Sequence, residues 1–424
     1  MTAEWNTGNP SMIKHITIDS KGLLHMKKTI KRLLLPALIL VIILAATKML
    51  FQSAENESSP PKETSSTPQP ESSVTTDNNN TSPALFRGVW VSYITTDMGK
   101  DRGNEEKFRS KTETIMKDIR DIGADTVIYQ VRPFCDSYYP SKLFPFSHLI
   151  SGEQGKDPGF DPLEIALETA KKYGLKFHAW VNPMRVSLEK TPGTLSQNNP
   201  CVKWLNDSDK SNDKYILKYG GTVYLDPAYP EVRRLIIDGV REIVRNYDVD
   251  GIQIDDYFYP ENIDIKNKTI NIDMLVAGIF SAVHSQRSDC VFGISPQCDP
   301  DNDLRMGADV RRWCRIGGYA DYICPQLYVS EEHPALPFEK AAGIWKEMMK
   351  DSDVTFYAGL AFYKAGTDAD NGTWKLHSDN IARQEKLSLK YGFSGTMLFS
   401  YEDLKDPAKQ EEKRRLTEEM KNEK

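Results

Sequence analysis

Several well-known catalytic patterns are missing from this sequence of 424 residues. Its seven histidines form neither an HExxH motif nor an H-x₃-H pair, so neither a zinc peptidase nor a metal-dependent deacetylase is indicated. No G-x-S-x-G elbow is present, which argues against a serine esterase. The six cysteines form no CxxC pair and no metal-ligand pattern. We expect mostly buried thiols and no metal or cofactor, although an exported protein could pair two cysteines and acidic loops could hold calcium or magnesium.

The chain also lacks a basic surface. Its formal net charge is -6, and positive and negative residues are mixed throughout, so nucleic-acid binding is not predicted. Hydrophobic residues make up 39% of the chain, which is enough to bury a full core. Composition therefore leaves open one large barrel or two smaller domains.

Only one segment is apolar enough to cross a membrane. Leu33–Thr47 carries no charge, follows a cluster of lysine and arginine, and continues as Met49-Leu50-Phe51. Because no A-x-A cleavage site follows, we predict an uncleaved signal anchor over residues 33–51, with a cleaved signal peptide as the alternative. The basic flank predicts a single-pass cell-membrane protein whose main domain faces the outside.

Changes in amino-acid composition divide the rest of the chain into four predicted segments. Residues 1–32 are predicted to be cytoplasmic, and Met26 before two lysines is typical of a signal start, which leaves residues 1–25 open to interpretation as an upstream extension. Residues 52–84 are rich in Ser, Thr, Pro and Asn and predict a disordered linker. A globular domain follows over 85–404, and residues 405–424 read as a charged tail or frayed helix with a solvated face.

Strand-like runs alternate with helical patterns along the globular domain. One clear helix follows Asp161 as N-cap, has Pro162 at its first position and stops at Gly174. The alternation predicts a (β/α)₈ barrel of α/β class, with an insertion over 183–225. A doubly wound open sheet is the alternative, but no Gly-rich phosphate loop follows the first strand. The predicted strands are Phe86–Tyr93, Thr126–Arg132, Leu175–Asn182, Gly251–Asp255, Val291–Pro296, Asp321–Tyr328, Thr355–Phe362 and Gly395–Tyr401.

The fourth strand ends in two adjacent carboxylates. Side chains alternate along a strand, so Gln253 and Asp255 share the face opposite the one that carries the isoleucines. Buried Gln and Asp side chains need polar partners, which favours a site at this end of the barrel. The simpler alternative is that Asp255 or Asp256 caps a turn.

Polar side chains end three other strands on the same predicted face. They are Gln130 with Arg132, then His178, Trp180 and Asn182, and then Gln326 with Tyr328. Barrel enzymes carry their chemistry at the carboxyl ends of their strands, so these residues are predicted to converge with Asp255. For His178 alone, a satisfied core residue is the stronger alternative. Rim aromatics that could stack on sugar rings are Trp90, Tyr138, Trp180, Tyr257, Tyr259, Tyr328 and Trp374.

Taken in order, six blocks of sequence resemble the glycosyl hydrolase-like 10 family from about residue 85 to residue 404. They are Phe86–Val91, Gln130–Pro133, Tyr139–Ser141, His178–Arg185, Asp250–Pro260 and Asp321–Tyr328. The resemblance implies a (β/α)₈ glycosidase of the bacterial envelope that acts on peptidoglycan glycan strands stripped of their peptides.

The resemblance also implies site residues. The acidic motif of the family falls on Asp255 and Asp256, a loop Asp on Asp136, and pocket positions on Gln130, Arg132, Asn182, Arg185 and Tyr328. Two departures stand out: Met184 replaces a usual Tyr, and the loop over 296–303 is short and acidic. The full predicted substrate-binding set is Gln130, Arg132, His178, Trp180, Asn182, Arg185, Gln253, Tyr257, Tyr259, Gln326 and Tyr328.

Glycoside hydrolysis needs one protonated carboxyl group and one ionised carboxylate. The predicted inward face favours Asp255 as nucleophile or base, whereas Asp256 is expected to point away and to orient Arg132 or Arg185 or hold its loop. Asp136, Asp299 and Glu402 follow strands and are candidates for the acid. The alternative function is a barrel that binds glycan without cleaving it, which a missing second carboxyl group would favour.

Overall fold

A computed structural model describes residues 85–189, 191–256 and 258–422. The predicted cytoplasmic segment, membrane anchor and linker lie outside the described residues. Among the helices of the described part, none is both long and apolar enough to cross a bilayer.

A parallel sheet of nine strands forms the centre of the domain. Its strands are β1 (Phe86–Val91), β2 (Thr126–Arg132), β3 (Lys176–Val181), β7 (Gly251–Ile254), β8 (Val291–Ile294), β9 (Tyr322–Ile323), β10 (Thr355–Phe356), β11 (Ala358–Ala361) and β12 (Gly395–Phe399). They lie in the order β10-β9-β8-β7-β3-β2-β1-β12-β11. Its two end strands, β10 and β11, are separated along the chain only by Tyr357, whose N–H donates to Ile323 O of β9 at 3.0 Å. The sheet therefore closes on itself, which confirms an α/β barrel consistent with the (β/α)₈ arrangement and excludes the open sheet.

The insertion after β3 builds a small antiparallel sheet of its own. Its strands are β4 (Arg185–Ser187), β5 (Ile216–Tyr219) and β6 (Thr222–Leu225), in the order β4-β6-β5. This sheet stands beside the carboxyl end of β3 and carries Tyr224 to the same cavity as the barrel strand ends.

Helices follow the barrel strands as the sequence pattern predicts. Asp161 Oδ1 accepts the N–H groups of Leu163 and Glu164 at 3.0 and 3.1 Å, which caps the helix that begins at Pro162. The α-helices are Tyr93–Thr96, Glu105–Asp121, His148–Ser151, Pro162–Lys172, Pro200–Asn206, Pro230–Asn246, Lys268–Gln286, Pro300–Arg305, Val310–Arg315, Phe338–Met349, Asn380–Tyr391 and Gln410–Asn422.

The barrel has two apolar clusters, one outside its strands and one inside. The large core lies between strands and helices, whereas a smaller cluster fills the barrel interior with Trp90, Ile128, Trp180, Tyr322, Cys324 and Met397. All six cysteines are free thiols, and all but the half-buried Cys298 are buried. The interior is therefore a packed core below the strand ends, not a channel.

The carboxyl-terminal segment differs from the expected solvated tail. Leu416 and Met420 lie four residues apart on the last helix and are fully buried. Glu412 accepts the N–H of Ile381 at 2.6 Å, and Arg87 Nη1 donates to Met420 O at 2.8 Å. One apolar stripe among many charges is sufficient to seat this helix on the barrel.

Candidate active site

A cavity of about 580 Å³ opens at the carboxyl ends of the barrel strands. Residues from most of the strand ends and following loops line it, as the barrel architecture predicts. They are Trp90, Ser92, Tyr93, Ile94, Gln130, Trp180, Arg185, Tyr224, Asp255, Asp256, Phe258, Tyr259, Pro260, Ser295, Gln297, Met306, Gln326, Tyr328, Tyr363 and Phe399.

Asp255 follows β7 directly and lies at the base of this cavity. Only 7% of its surface is exposed to solvent. Its Oδ2 accepts Trp180 Nε1–H at 3.1 Å and Asn182 Nδ2–H at 2.5 Å. Trp180 belongs to β3 and Asn182 directly follows it, and β3 pairs with β7 in parallel. The alternation that predicts Trp180 and Asn182 on the Asp255 side of the sheet therefore holds here.

Asn182 is oriented by two further donors. Its Oδ1 accepts Arg185 Nη2–H at 2.7 Å and also accepts Gln130 Nε2–H. With the carbonyl side of the amide occupied in this way, its NH₂ group is turned toward Asp255. Gln130 is fixed in turn because its Oε1 accepts the N–H of Tyr93 at 2.7 Å.

Arg185 supports the hydrogen-bond network around Asp255 through its contact with Asn182. Its Nε donates to Pro133 O at 2.7 Å, and its guanidinium lies 5.6 Å from the Tyr93 ring centroid and 5.0 Å from that of Phe134. A planar cation held between two rings and a carbonyl has little freedom to move. It therefore anchors Asn182 rigidly.

Asp256 differs from the sequence prediction. It does not orient Arg132 or Arg185 but lines the same cavity as Asp255. Its Oδ1 accepts Gln326 Nε2–H at 3.0 Å, and its Oδ2 accepts Gln297 Nε2–H at 3.1 Å. β7 ends at Ile254, so strand alternation no longer dictates where the side chain of residue 256 points.

The short acidic loop after β8 has a structural role beside Asp256. Asp303 is fully buried, and its Oδ1 accepts the backbone N–H of Gln297 at 3.2 Å. Burial raises the pKa of Asp303 well above its usual range, which favours the neutral form of this carboxyl group. It holds in place the residue that contacts Asp256.

Two predicted binding residues lie below the cavity, inside the barrel. Gln253 is fully buried and its Oε1 accepts Trp90 Nε1–H at 2.5 Å. His178 Nδ1 lies 2.9 Å from the hydroxyl of Tyr322, and burial lowers the pKa of His178 to about 3. A neutral, paired histidine two residues before Trp180 on β3 is a core side chain, and the structure does not bring it to the cavity.

The predicted position of Arg132 on the inner face of the barrel is wrong. The pairing of β2 with β3 shifts register between Gln130 and Arg132, which turns Arg132 to the outer side of the barrel. Its guanidinium lies 4.3 Å from the Phe144 ring centroid, and a Cβ on Gly239 would clash with its Nη1. Strict alternation fails here because a bulge adds one residue.

None of the three predicted acid candidates outside the fourth strand lines the cavity. Asp136 is fully buried, where its oxygens accept Phe134 N–H at 3.3 Å and Gln154 Nε2–H at 3.5 Å. Asp299 caps the helix that begins at Pro300, and Glu402 is solvent-exposed. Among the described residues, Asp255 and Asp256 are therefore the only carboxyl groups of the cavity.

Aromatic rings form one wall of the cavity. Tyr328 lies 5.8 Å from the Phe399 ring centroid and 5.9 Å from that of Tyr363. Tyr259 also lines the cavity and donates its hydroxyl to Asp226 Oδ1 at 2.6 Å. Tyr257 lies outside the described residues. The remaining predicted rim aromatics divide between cavity and core: Trp90 and Trp180 line the cavity, whereas Tyr138 and Trp374 are fully buried elsewhere.

Several cavity residues escaped the sequence prediction. Phe399 sits two residues after the inward-facing Met397 on β12, so alternation could have found it. Gln297 lies in the loop after β8, Tyr363 lies in a short 3₁₀ helix after β11, and Tyr224 belongs to the inserted sheet. Their positions depend on loop conformation, for which the sequence offered no periodic signal.

The chain is similar in sequence to one family of glycosyl hydrolase-like proteins. A glycosyl hydrolase-like 10 family model matches residues 85–271 and 261–375. The glycosyl hydrolase YngK of Bacillus subtilis (strain 168) is 32% identical, over 75% of this chain and 68% of that protein. The glycosyl hydrolase DigH of Escherichia coli (strain K12) is 30% identical, over 77% of this chain and 85% of that protein.

Solved structures with similarity to the chain include glycosidases. An exo-beta-1,4-mannosidase from Opitutaceae bacterium strain TAV5 has a TM-score of 0.49 and 10% identity, over 80% of this chain and 60% of that one. A chitinase from Bacteroides thetaiotaomicron has a TM-score of 0.48 and 13% identity, over 79% of this chain and 96% of that one. The family model spans most of the described domain. The relatives that this chain resembles in sequence are named glycosyl hydrolases. The chain therefore belongs to the glycosyl hydrolase-like 10 family.

Proposed function

We propose that this protein hydrolyses glycosidic bonds in peptide-free glycan strands of peptidoglycan, with Asp255 and Asp256 as its catalytic carboxyl groups. The observation that carries the proposal is the presence of both groups in one cavity at the strand ends of the barrel. Glycoside hydrolysis requires two carboxyl groups, one protonated and one ionised, within reach of the same bond.

The surroundings of the cavity favour a sugar ligand. Sugar rings present apolar faces and polar edges, so they bind where aromatic rings and hydrogen-bonding groups meet. Tyr328, Tyr363 and Phe399 supply the rings, and Gln130, Gln297 and Gln326 supply amides.

We propose a reaction that needs no metal ion. The oxygens of Asp255 and Asp256 face N–H donors, namely Trp180, Asn182, Gln297 and Gln326. Donors of this kind would repel a cation that approached the same oxygens, whereas they support a carboxylate that must work without one.

The substrate and location rest on the sequence. The predicted anchor and linker would hold the barrel outside the cell membrane, where peptidoglycan is the abundant glycan, and the family resemblance points to strands freed of peptide. The linker would span some tens of Å, which gives the cavity access to the wall. A barrel that binds such strands without cleaving them is the competing function.

The test compares the full chain with Asp255→Asn and Asp256→Asn variants on intact peptidoglycan and on peptide-stripped strands, with released fragments measured by mass spectrometry. Asp248→Asn is the matched control, because that side chain is 86% exposed and precedes the same strand at its opposite end. We expect the parent and the control to cleave stripped strands, and each site variant to lose about 100-fold or more in rate.

Other outcomes have clear meanings. Release from intact peptidoglycan at an equal rate would contradict the preference for stripped strands. If the parent binds both glycans but releases nothing, the enzyme proposal fails and the binding function replaces it.

A further inference from the structure

Building on the function proposed above, we propose that the nucleophile is not a protein group but the 2-acetamido oxygen of the substrate, which Asp255 orients while Asp256 serves as acid and base. The sugar on the non-reducing side of the cleaved bond then carries an acetamido group trans to the leaving oxygen. Three observations on the two carboxyl groups lead to this mechanism.

The first observation is that both carboxyl groups come from consecutive residues. Their Cα atoms are about 3.8 Å apart. Both residues line the cavity directly after β7, so both carboxyl groups approach a bound sugar from that strand end. A protein nucleophile and an acid must instead flank the anomeric carbon, on opposite sides of the bond that breaks. Among the described residues that line the cavity, no third carboxyl group is present to take the opposite side. An acetamido group on C2 and the leaving oxygen on C1 are neighbours, which matches two neighbouring carboxyl groups.

The second observation is that the protein holds Asp255 Oδ2 purely as an acceptor. Trp180 Nε1–H can only donate. Asn182 must also donate, because its Oδ1 already accepts hydrogen bonds from Arg185 and Gln130. A carboxylate fixed in this form suits a partner that presents an N–H group, and the acetamide presents one. Hydrogen bonding to that N–H increases the electron density on the acetamide oxygen.

The third observation is that the two amides beside Asp256 differ in their freedom to rotate. Gln326 Nε2 donates both to Asp256 Oδ1 and to Ser295 O, at 3.0 and 3.1 Å, so this amide cannot reverse. Gln297 Nε2 donates to Asp256 Oδ2 and, among the described residues, otherwise meets only the sulfur of Met306 at 3.8 Å. Its amide can therefore rotate and present oxygen to a protonated Oδ2. The mechanism therefore assigns the transferred proton to Asp256 Oδ2.

The reaction balances in two steps. First, the acetamide oxygen forms a bond to C1 while the bond from C1 to the leaving oxygen breaks, and that oxygen takes the proton of Asp256. The resulting oxazolinium ring keeps its N–H hydrogen-bonded to Asp255. Second, water attacks C1 and passes a proton to Asp256, and the ring bond to C1 breaks and returns its electron pair to the acetamide. The anomeric configuration is retained, and both carboxyl groups return to their starting states.

The test uses the full chain and peptide-free strands that have been de-N-acetylated and then re-acylated with either acetyl or trifluoroacetyl groups. The two acylated substrates have nearly the same shape and no charge, but the trifluoroacetyl oxygen is a much weaker nucleophile. We expect acetylated strands to be cleaved at the native rate and trifluoroacetylated strands to lose most of their cleavage. A thiazoline analogue of N-acetylglucosamine, which mimics the oxazoline ring, should inhibit the parent competitively.

Variants separate the two roles. With a nitrophenyl glycoside of the acetylated sugar as substrate, whose leaving group needs no proton, azide should restore turnover to Asp256→Ala, with an azide product of retained configuration, since azide needs no base in the second step. It should not restore cleavage to Asp255→Ala, and Asp248→Asn again serves as the control. Equal cleavage of both acylated substrates, an inverted product or a covalent glycosyl-enzyme would overturn this mechanism while leaving the proposed hydrolase intact. A parent that cleaves no glycan would overturn both.

Discussion

Replacement of Asp303 by Asn is expected to stabilise the folded domain by an amount that grows with pH. Asp303 is fully buried behind Gln297, and its Oδ2 has no hydrogen-bond partner among the described residues. Burial raises the pKa of this carboxyl group well above its usual range. The folded protein therefore keeps a proton that the unfolded chain releases at about pH 4.

The direction of the effect follows from proton linkage. Because the folded state binds more protons than the unfolded state, the free energy of unfolding of the parent falls as pH rises from the unfolded pKa to the folded pKa. Each pH unit in that window removes about 1.4 kcal/mol. An amide has the shape of the neutral acid and cannot ionise. The Asp303→Asn variant should thus match the parent near about pH 4 and exceed it by about 1.4 kcal/mol more for each further unit until the pH reaches the folded pKa.

Urea unfolding followed by tryptophan fluorescence measures this difference at a series of pH values. Trp313 and Trp345 are fully buried in the domain and serve as reporters. Asp309→Asn is the matched control, because Asp309 caps a neighbouring helix by accepting the N–H of Arg312, and Asn caps equally well. Parallel pH profiles for the parent and Asp303→Asn would refute the reasoning, since they would mean that Asp303 is already ionised in the folded protein.

Three further substitutions test other parts of the structure. Asn182→Ala removes the acceptor of Gln130 and Arg185 and a donor to Asp255. Hydrolysis of stripped strands should therefore fall about 100-fold, and the free energy of unfolding should fall by about 3 kcal/mol. A hydrolysis rate within twofold of the parent would contradict a role for Asn182 in positioning Asp255. Arg132→Met should leave that hydrolysis within about twofold, because the guanidinium lies outside the barrel, and a thermal unfolding scan would verify that the variant folds. Leu416→Ala should lower the free energy of unfolding in urea by about 2–5 kcal/mol, whereas a solvated tail would show almost no change.

Local patterns in the sequence were sufficient for the architecture. Strand-like runs that alternate with amphipathic helices predict a closed α/β barrel, because parallel strands need helical crossovers and bury both faces. The N-cap at Asp161 and the inward positions of Trp180 and Asn182 follow from rules that act over a few residues. The Gly251–Pro260 block and its neighbours likewise indicate the family.

The same rules failed where the backbone leaves its regular path. A bulge after Gln130 turns Arg132 outward, and the end of β7 at Ile254 frees Asp256 to face the cavity. The last helix shows the same limit, since its charges suggest a tail while Leu416 and Met420 anchor it to the barrel.

The sequence by itself determined the barrel, the family and the position of the acidic pair at the end of the fourth barrel strand, because these depend on periodicity and on residues next to one another in the chain. Only the tertiary structure decided which groups surround that pair. Asn182, Gln297 and Gln326 reach Asp255 and Asp256 from three different loops or strand ends. Contacts between distant parts of a chain depend on how loops close and where strands bulge, and local periodicity carries no information about either.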